Sequence, residues 1–154
     1  MRKQKGFSLI ELLIVVAIIL IIAAIAIPNL LRSRMAANEA SAVGSLRTIN
    51  TAEVTYATTY QDIGFTALAS LGGTGTTASS TNALLLDSVL AGGTKSGYTF
   101  ATANLTGTPI VTYDATATPV TVGQTGQRRF FTDQSGVIRA NASGAATNSS
   151  SPLQ

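Results

Sequence analysis

Cysteine and histidine are both missing from the 154-residue chain. Without them there is no disulfide framework, no zinc site built on nitrogen or sulfur ligands, and none of the common Cys-based or His-based catalytic arrangements. Charge is scarce as well, with Asp, Glu, Lys and Arg making up 11% of residues. An enzyme would have to work with seven carboxylates, hydroxyls, Lys95 and a few arginines. GGTGTT at 72–77 has neither the spacing nor the lysine of a phosphate-binding loop. Composition therefore points away from an enzyme, and no catalytic residue, metal ligand or cofactor is assigned. The net charge of +3 is carried by Arg2, Lys3 and Lys5; taking these from the ten basic residues leaves seven, against seven acidic ones. No basic patch for nucleic acid remains behind that start.

What the chain does have is one long apolar run. FSLIELLIVVAIILIIAAIAI, residues 7–27, contains a single charged residue, Glu11. At 1.5 Å per residue the run is about 31 Å long as a helix, close to the roughly 30 Å hydrocarbon core of a bilayer. A secretory signal peptide accounts for the basic start and for the small residues Ala24-Ile25-Ala26, but its apolar region is normally shorter and uncharged. A plain membrane anchor accounts for the length, with the basic residues kept cytoplasmic. Neither accounts for Glu11. A carboxylate within a membrane helix costs roughly 2.5–3.5 kcal/mol at the centre, less near an end, and calls for a partner.

The stretch Lys5-Gly6-Phe7-Ser8-Leu9-Ile10-Glu11, with a basic leader before it and the apolar helix and Pro28 behind it, resembles the class III signal of type IV pilins and the related type II secretion pseudopilins. The resemblance implies cleavage between Gly6 and Phe7 by a prepilin peptidase, which also acts as methyltransferase on the new N-terminal Phe7. It implies that Glu11 meets the Phe7 amine of a neighbouring subunit during assembly, and that a helix kink accompanies Pro28. An α-amine has a pKa of about 7.7–8.0, so it carries charge and can compensate a buried carboxylate. The implied partners are further copies of the chain, the peptidase, the inner-membrane pilus assembly machinery and, for the precursor, the membrane itself. The implied location is the inner membrane, single pass with the amino terminus cytoplasmic, and then an extracellular pilus. Aliphatic residues on every side suit a helix buried all round, and Ala17, Ala23, Ala24 and Ala26 permit close helix approach.

Behind Pro28, NLLRSRMAANEASAVGSLRTINTAEVTYATTYQ places Val43, Leu46, Ile49, Ala52 or Glu53, Tyr56 and Tyr60 on one helical face. Arg32, Arg34, Glu39 and Arg47 are expected towards solvent or between subunits, and Ala36, Ala37 and Ala40 form a small-residue surface. Residues 62–96 lose periodicity apart from Leu84–Leu90, expected as a short helix capped by Thr81 or Asn82 and ending before Gly92. Strand signals follow in YTFATA, IVTYDATA, QRRFFT and VIR, with a turn over 104–109 and a hairpin turn at Asp133–Gly136. ANASGAATNSSSPLQ is low in complexity and expected to fray.

The expected fold is α+β: a long amino-terminal helix whose second half packs on a small antiparallel sheet of three or four strands. The expected divisions are a leader at 1–6, an apolar helix at 7–28, an amphipathic continuation at 29–61, a connecting loop at 62–96, the sheet at 97–139 and a tail at 140–154. No C-terminal cysteine pair closes a loop, as it does in many pilins. Asp114 and Asp133 are the only acids near the sheet for the calcium that some pseudopilins bind, and their spacing is not that of an EF-hand. Asn104, Asn141 and Asn148 head glycosylation sequons that arise easily in so Ser- and Thr-rich a chain. The expected function is a type IV pilus subunit; the alternatives are a pseudopilin of a periplasmic type II secretion pseudopilus and, more distantly, a membrane-anchored periplasmic binding domain.

Overall fold

Leu9–Thr59 forms a single helix, α1, of 51 residues. The computed structural model describes residues 6–153, so most of the expected leader at 1–6 lies outside the described residues. α1 continues without interruption through Pro28, although the proline ring removes one backbone donor. The chain divides between Arg34 and Met35 into two compact units. The first is apolar helix with its side chains open: from Leu9 at 77% to Leu31 at 40%, its large aliphatic residues are exposed.

The second unit begins with the amphipathic part of α1. Glu39, Ala42, Ser45, Leu46, Ile49, Ala52, Glu53 and Tyr56 are buried, a three-then-four spacing that keeps one helix face inward. Leu46, Ile49 and Tyr56 join Leu71, Leu90, Tyr98, Phe100, Tyr113 and Phe130 in a single core. Val43 and Tyr60 lie partly buried at its margin. The expected apolar face is the one that packs, but Glu39, expected towards solvent, is buried on it.

The connection holds two short helices, α2 (Leu68–Leu71) and α3 (Ser88–Ala91). The second starts later than the Leu84–Leu90 run predicts. Leu84 has a positive φ of 56°, outside the right-handed helical region. Asp87 is the N-cap, accepting from the Leu90 N–H at 2.9 Å, and its other oxygen pairs with Lys95 Nζ at 2.9 Å. Asn82 does not cap this helix; its side chain accepts from the Thr74 N–H and donates to the Thr74 carbonyl, closing the glycine-rich loop.

Six antiparallel strands follow in chain order: β1 (Thr94–Lys95), β2 (Tyr98–Gly107), β3 (Ile110–Pro119), β4 (Arg129–Asp133), β5 (Arg139–Asn141) and β6 (Ser151–Pro152). The expected count of three or four is thus corrected. Three of the sequence runs fall on β2, β3 and β4, VIR meets β5 only at Arg139, and β1 and β6 have two residues each and are too short to show alternation. β2 also runs past the turn expected at 104–109, because Asn104 takes a positive φ of 51° and the pairing with β3 bulges between Ala103 and Thr106. The Asp133–Gly136 turn is present, closed by a bond from the Gly136 N–H to the Asp133 carbonyl at 2.9 Å.

The tail is not frayed, contrary to expectation. Arg139 Nη1 donates to the Ser150 carbonyl at 3.0 Å and Arg129 Nη1 to the Gly144 carbonyl at 3.4 Å. The Leu153 N–H reaches the Ile138 carbonyl at 2.8 Å, and Ala146 is buried. Ala146 and Phe131 line one groove of about 450 Å³, so the tail covers the sheet face opposite the core. Backbone carbonyls bound by arginines hold this segment, which apolar periodicity does not register.

Tight packing makes one expectation concrete. A Cβ on Gly126 would lie 2.0 Å from the Tyr98 hydroxyl oxygen, which donates to the Arg128 carbonyl at 2.9 Å. Gly126→Ala is expected to cost about 1–3 kcal/mol as the phenol is displaced. A thermal melt of the variant that superimposes on the parent would contradict this packing.

Candidate functional site

The residues singled out at the amino end converge on the first turn of α1. Ser8 precedes the helix, and its carbonyl accepts the Leu12 N–H at 3.2 Å. The carboxylate of Glu11 reaches back and accepts the Ser8 backbone N–H at 2.9 Å. Ser8-Leu9-Ile10-Glu11 has the S-x-x-E spacing of a capping box, and this is its reach-back half. A carboxylate in the first turn is also favoured by the helix dipole. That spacing was legible in the sequence and supplies a local partner for Glu11 that the resemblance alone does not mention. It holds the Glu11 carboxylate at the amide that directly follows Phe7.

Phe7 is 78% exposed and packs into no core. Gly6 is not demanded by this chain's own fold: a Cβ built there meets nothing within 4 Å. Gly64 contrasts with it, since a Cβ there would fall 2.0 Å from the Ile110 carbonyl oxygen. Behind these residues α1 carries a window of mean hydropathy 3.3, none of it buried within the chain. A helix apolar on all sides and open on all sides needs lipid or other protein around it.

The second unit adds a polar contact absent from the sequence reading. Glu39 Oε1 accepts the backbone N–H groups of Gln127 at 2.9 Å and Arg128 at 3.1 Å, and Oε2 accepts Arg128 Nε at 2.7 Å. Burial pushes the Glu39 carboxyl up, but these bonds and the Arg128 charge outweigh it and hold it below its ordinary value. The guanidinium of Arg128 also lies over the Phe130 ring, 5.4 Å from the centroid. Arg128 lies 89 positions from Glu39, so no local pattern links them.

Asp114 and Asp133 face each other across the β3–β4 register. Asp114 accepts from the Asn104 side chain and Asp133 from the Ser135 N–H. No group of three potential metal ligands occurs among the described residues.

Comparison with known proteins agrees with the amino-terminal signal. Residues 1–27 match the family described as "Prokaryotic N-terminal methylation motif". A type IV wide pilus major component, PilA4 of Thermus thermophilus, is 67% identical over 39 residues, which are 25% of this chain and 30% of that protein. A type IV major pilin protein, PilA of Myxococcus xanthus, is 44% identical over 54 residues, 35% of this chain and 24% of that protein. The chain thus matches less than a third of the length of either relative. No solved structure gives a significant match. The amino end of the chain thus carries the methylation motif and is similar to the amino ends of major type IV pilins, and behind it a long apolar helix leads into an antiparallel sheet.

Proposed function

We propose that the chain is a structural subunit of a type IV pilus. It is made as a membrane-anchored precursor, cut between Gly6 and Phe7, methylated on Phe7, and assembled into a helical filament through α1. The observation that carries this reading is the open, wholly apolar first part of α1 with one carboxylate fixed in its first turn. Such a helix is at home in a bilayer before assembly and among copies of itself afterwards. Gly6 supports the cleavage step, because a glycine that the fold does not need is explained by an enzyme that must reach the neighbouring bond. Arg2, Lys3 and Lys5 orient the precursor with its leader in the cytoplasm. The prepilin peptidase and the inner-membrane assembly machinery are the partners this route requires. Pro28 is the point at which α1 bends or loosens once packed.

Both named relatives are major pilins, which favours a pilus over a secretion pseudopilus. Filaments sheared from expressing cells and labelled with an antibody against the second unit test the reading. Continuous decoration along the filaments is expected. Antigen confined to the membrane fraction, with no decorated filament, would overturn it.

A further inference from the structure

Glu53 is a second buried carboxylate on α1, and the proposed assembly route assigns it no part. It is 0% exposed. Oε2 accepts the Thr66 backbone N–H at 3.0 Å, while Oε1 has no hydrogen-bond partner. The ion pairs among the described residues lie elsewhere, Lys95 with Asp87 and Arg128 with Glu39. On α1, Tyr56 stands one turn away and donates to the Ser80 carbonyl. From β3, Tyr113 faces the site and donates to Asn50 Oδ1 at 2.9 Å, not to Glu53. Asp133, at the end of β4, acts with Glu53 on the Tyr113 phenol. From β2, Thr102 is taken up by the Leu68 N–H at 2.9 Å. The surroundings therefore supply one donor, the Thr66 N–H, and no paired cation among the described residues. Ionised, the carboxylate would be an unpaired buried charge; neutral, it leaves one polar atom unsatisfied, which costs far less.

The Thr66 bond ties α1 to the segment that leaves it. Leu68 and Leu71 are buried in the core, and the Ser70 and Leu71 carbonyls accept from the N–H groups of Ala83, Leu85 and Leu86. Residues 60–67, in contrast, are otherwise held by the Ile63–Ile110–Phe65 backbone bonds and the Phe65 ring, 4.8 Å from that of Tyr113. We propose that Glu53 is a proton-controlled latch on this connector: protonated, it holds the stretch around Phe65 and Thr66 against α1, and its ionisation loosens that stretch up to the core-anchored Leu68. Burial pushes the Glu53 carboxyl from 4.5 up to about 7, against the smaller opposing pull of the Thr66 N–H, so the latch operates around neutrality. The connector is firmly seated in mildly acidic surroundings and opens more readily in alkaline ones.

Amide hydrogen exchange on the full chain in detergent micelles tests this, with protection normalised to intrinsic rates at each pH. Between pH 5.5 and pH 8.5 the amides of Phe65, Thr66 and Leu68 are expected to lose about tenfold or more in protection. They are expected to stay below the protection of Phe100 and Ala117 throughout, as a local opening requires. In Glu53→Gln, which keeps an acceptor for Thr66, the connector amides are expected to show no such pH dependence. Flat protection in the parent, an equal loss in Glu53→Gln, or connector and sheet amides exchanging at one common rate would each overturn the latch. If Glu53→Gln does not fold, the Glu53 carboxyl carbon of the parent chain decides by NMR. A titration midpoint well above 4.5 that coincides with the pH at which the Phe65 and Thr66 amides lose protection upholds the proposal, and a midpoint at the ordinary carboxylate value, or one not matched by that loss, overturns it.

Discussion

A Glu11→Ala chain is expected to reach the membrane and lose its leader normally, yet to yield almost no filaments. The reason is the difference between the two surroundings of α1. In the membrane Glu11 lies near one end of the apolar run and leans towards the interface. On the proposed assembly route it becomes buried among packed copies, and an amine on Phe7 of a neighbour would be the charge available to it. A buried pair broken by removing one partner costs about 3–5 kcal/mol, or a hundredfold or more in affinity at each subunit addition. Alanine also removes the acceptor for the Ser8 N–H, a capping loss of about 0.5–2 kcal/mol. Glu11→Gln separates the two effects, because the amide oxygen can still accept from Ser8 while the charge is gone. Filament yield from the glutamine variant is expected to be as poor as from alanine. Restored filaments would make Glu11 a helix cap and no more.

The second large effect concerns Glu39. Glu39→Ala strands the N–H groups of Gln127 and Arg128 together with the Arg128 guanidinium. A loss of about 3 kcal/mol in the stability of the second unit is expected, seen as a lower melting temperature at unchanged helix content. The two buried glutamates of α1 give opposite pH dependences. The Glu39 carboxyl is held low, so its contribution is present above its unfolded value and is lost as pH falls through its folded value. The Glu53 carboxyl is raised to about 7, so the native state holds a proton that the unfolded chain has released. Stability therefore falls as pH rises from 4.5 towards about 7, by on the order of 3 kcal/mol, and is level above that. The second unit is expected to be most stable in mild acid. Melting temperatures across pH 3–9 that peak at or above neutrality would contradict this.

The sequence disclosed most where its signals are local. The methylation motif matched over residues 1–27 is one continuous stretch, and the face of α1 that packs follows from the spacing of Leu46, Ile49 and Tyr56. β2 was visible because aromatic and small residues alternate in it, and β3 and β4 because IVTYDATA and QRRFFT carry β-branched and aromatic residues. The Ser8–Glu11 reach-back could have been seen in the S-x-x-E spacing. Other features were out of reach because their partners are distant or their bonds lie in the backbone. Glu39 looks like a surface charge until Gln127 and Arg128 are folded against it. The tail looks frayed because its anchors are arginines on β4 and β5 bound to carbonyls. The start of α3 was misplaced because Leu84 carries no sign of its positive φ.

The central claim is that this chain is cut after Gly6 and built into a pilus by α1. The most direct test is the intact mass of the most abundant subunit in filaments sheared from the cells that make it. The account predicts a chain that begins at Phe7 and is heavier by one methyl group. A chain that retains Met1, or that begins at Ile27 after cleavage like an ordinary secretory signal, would contradict it.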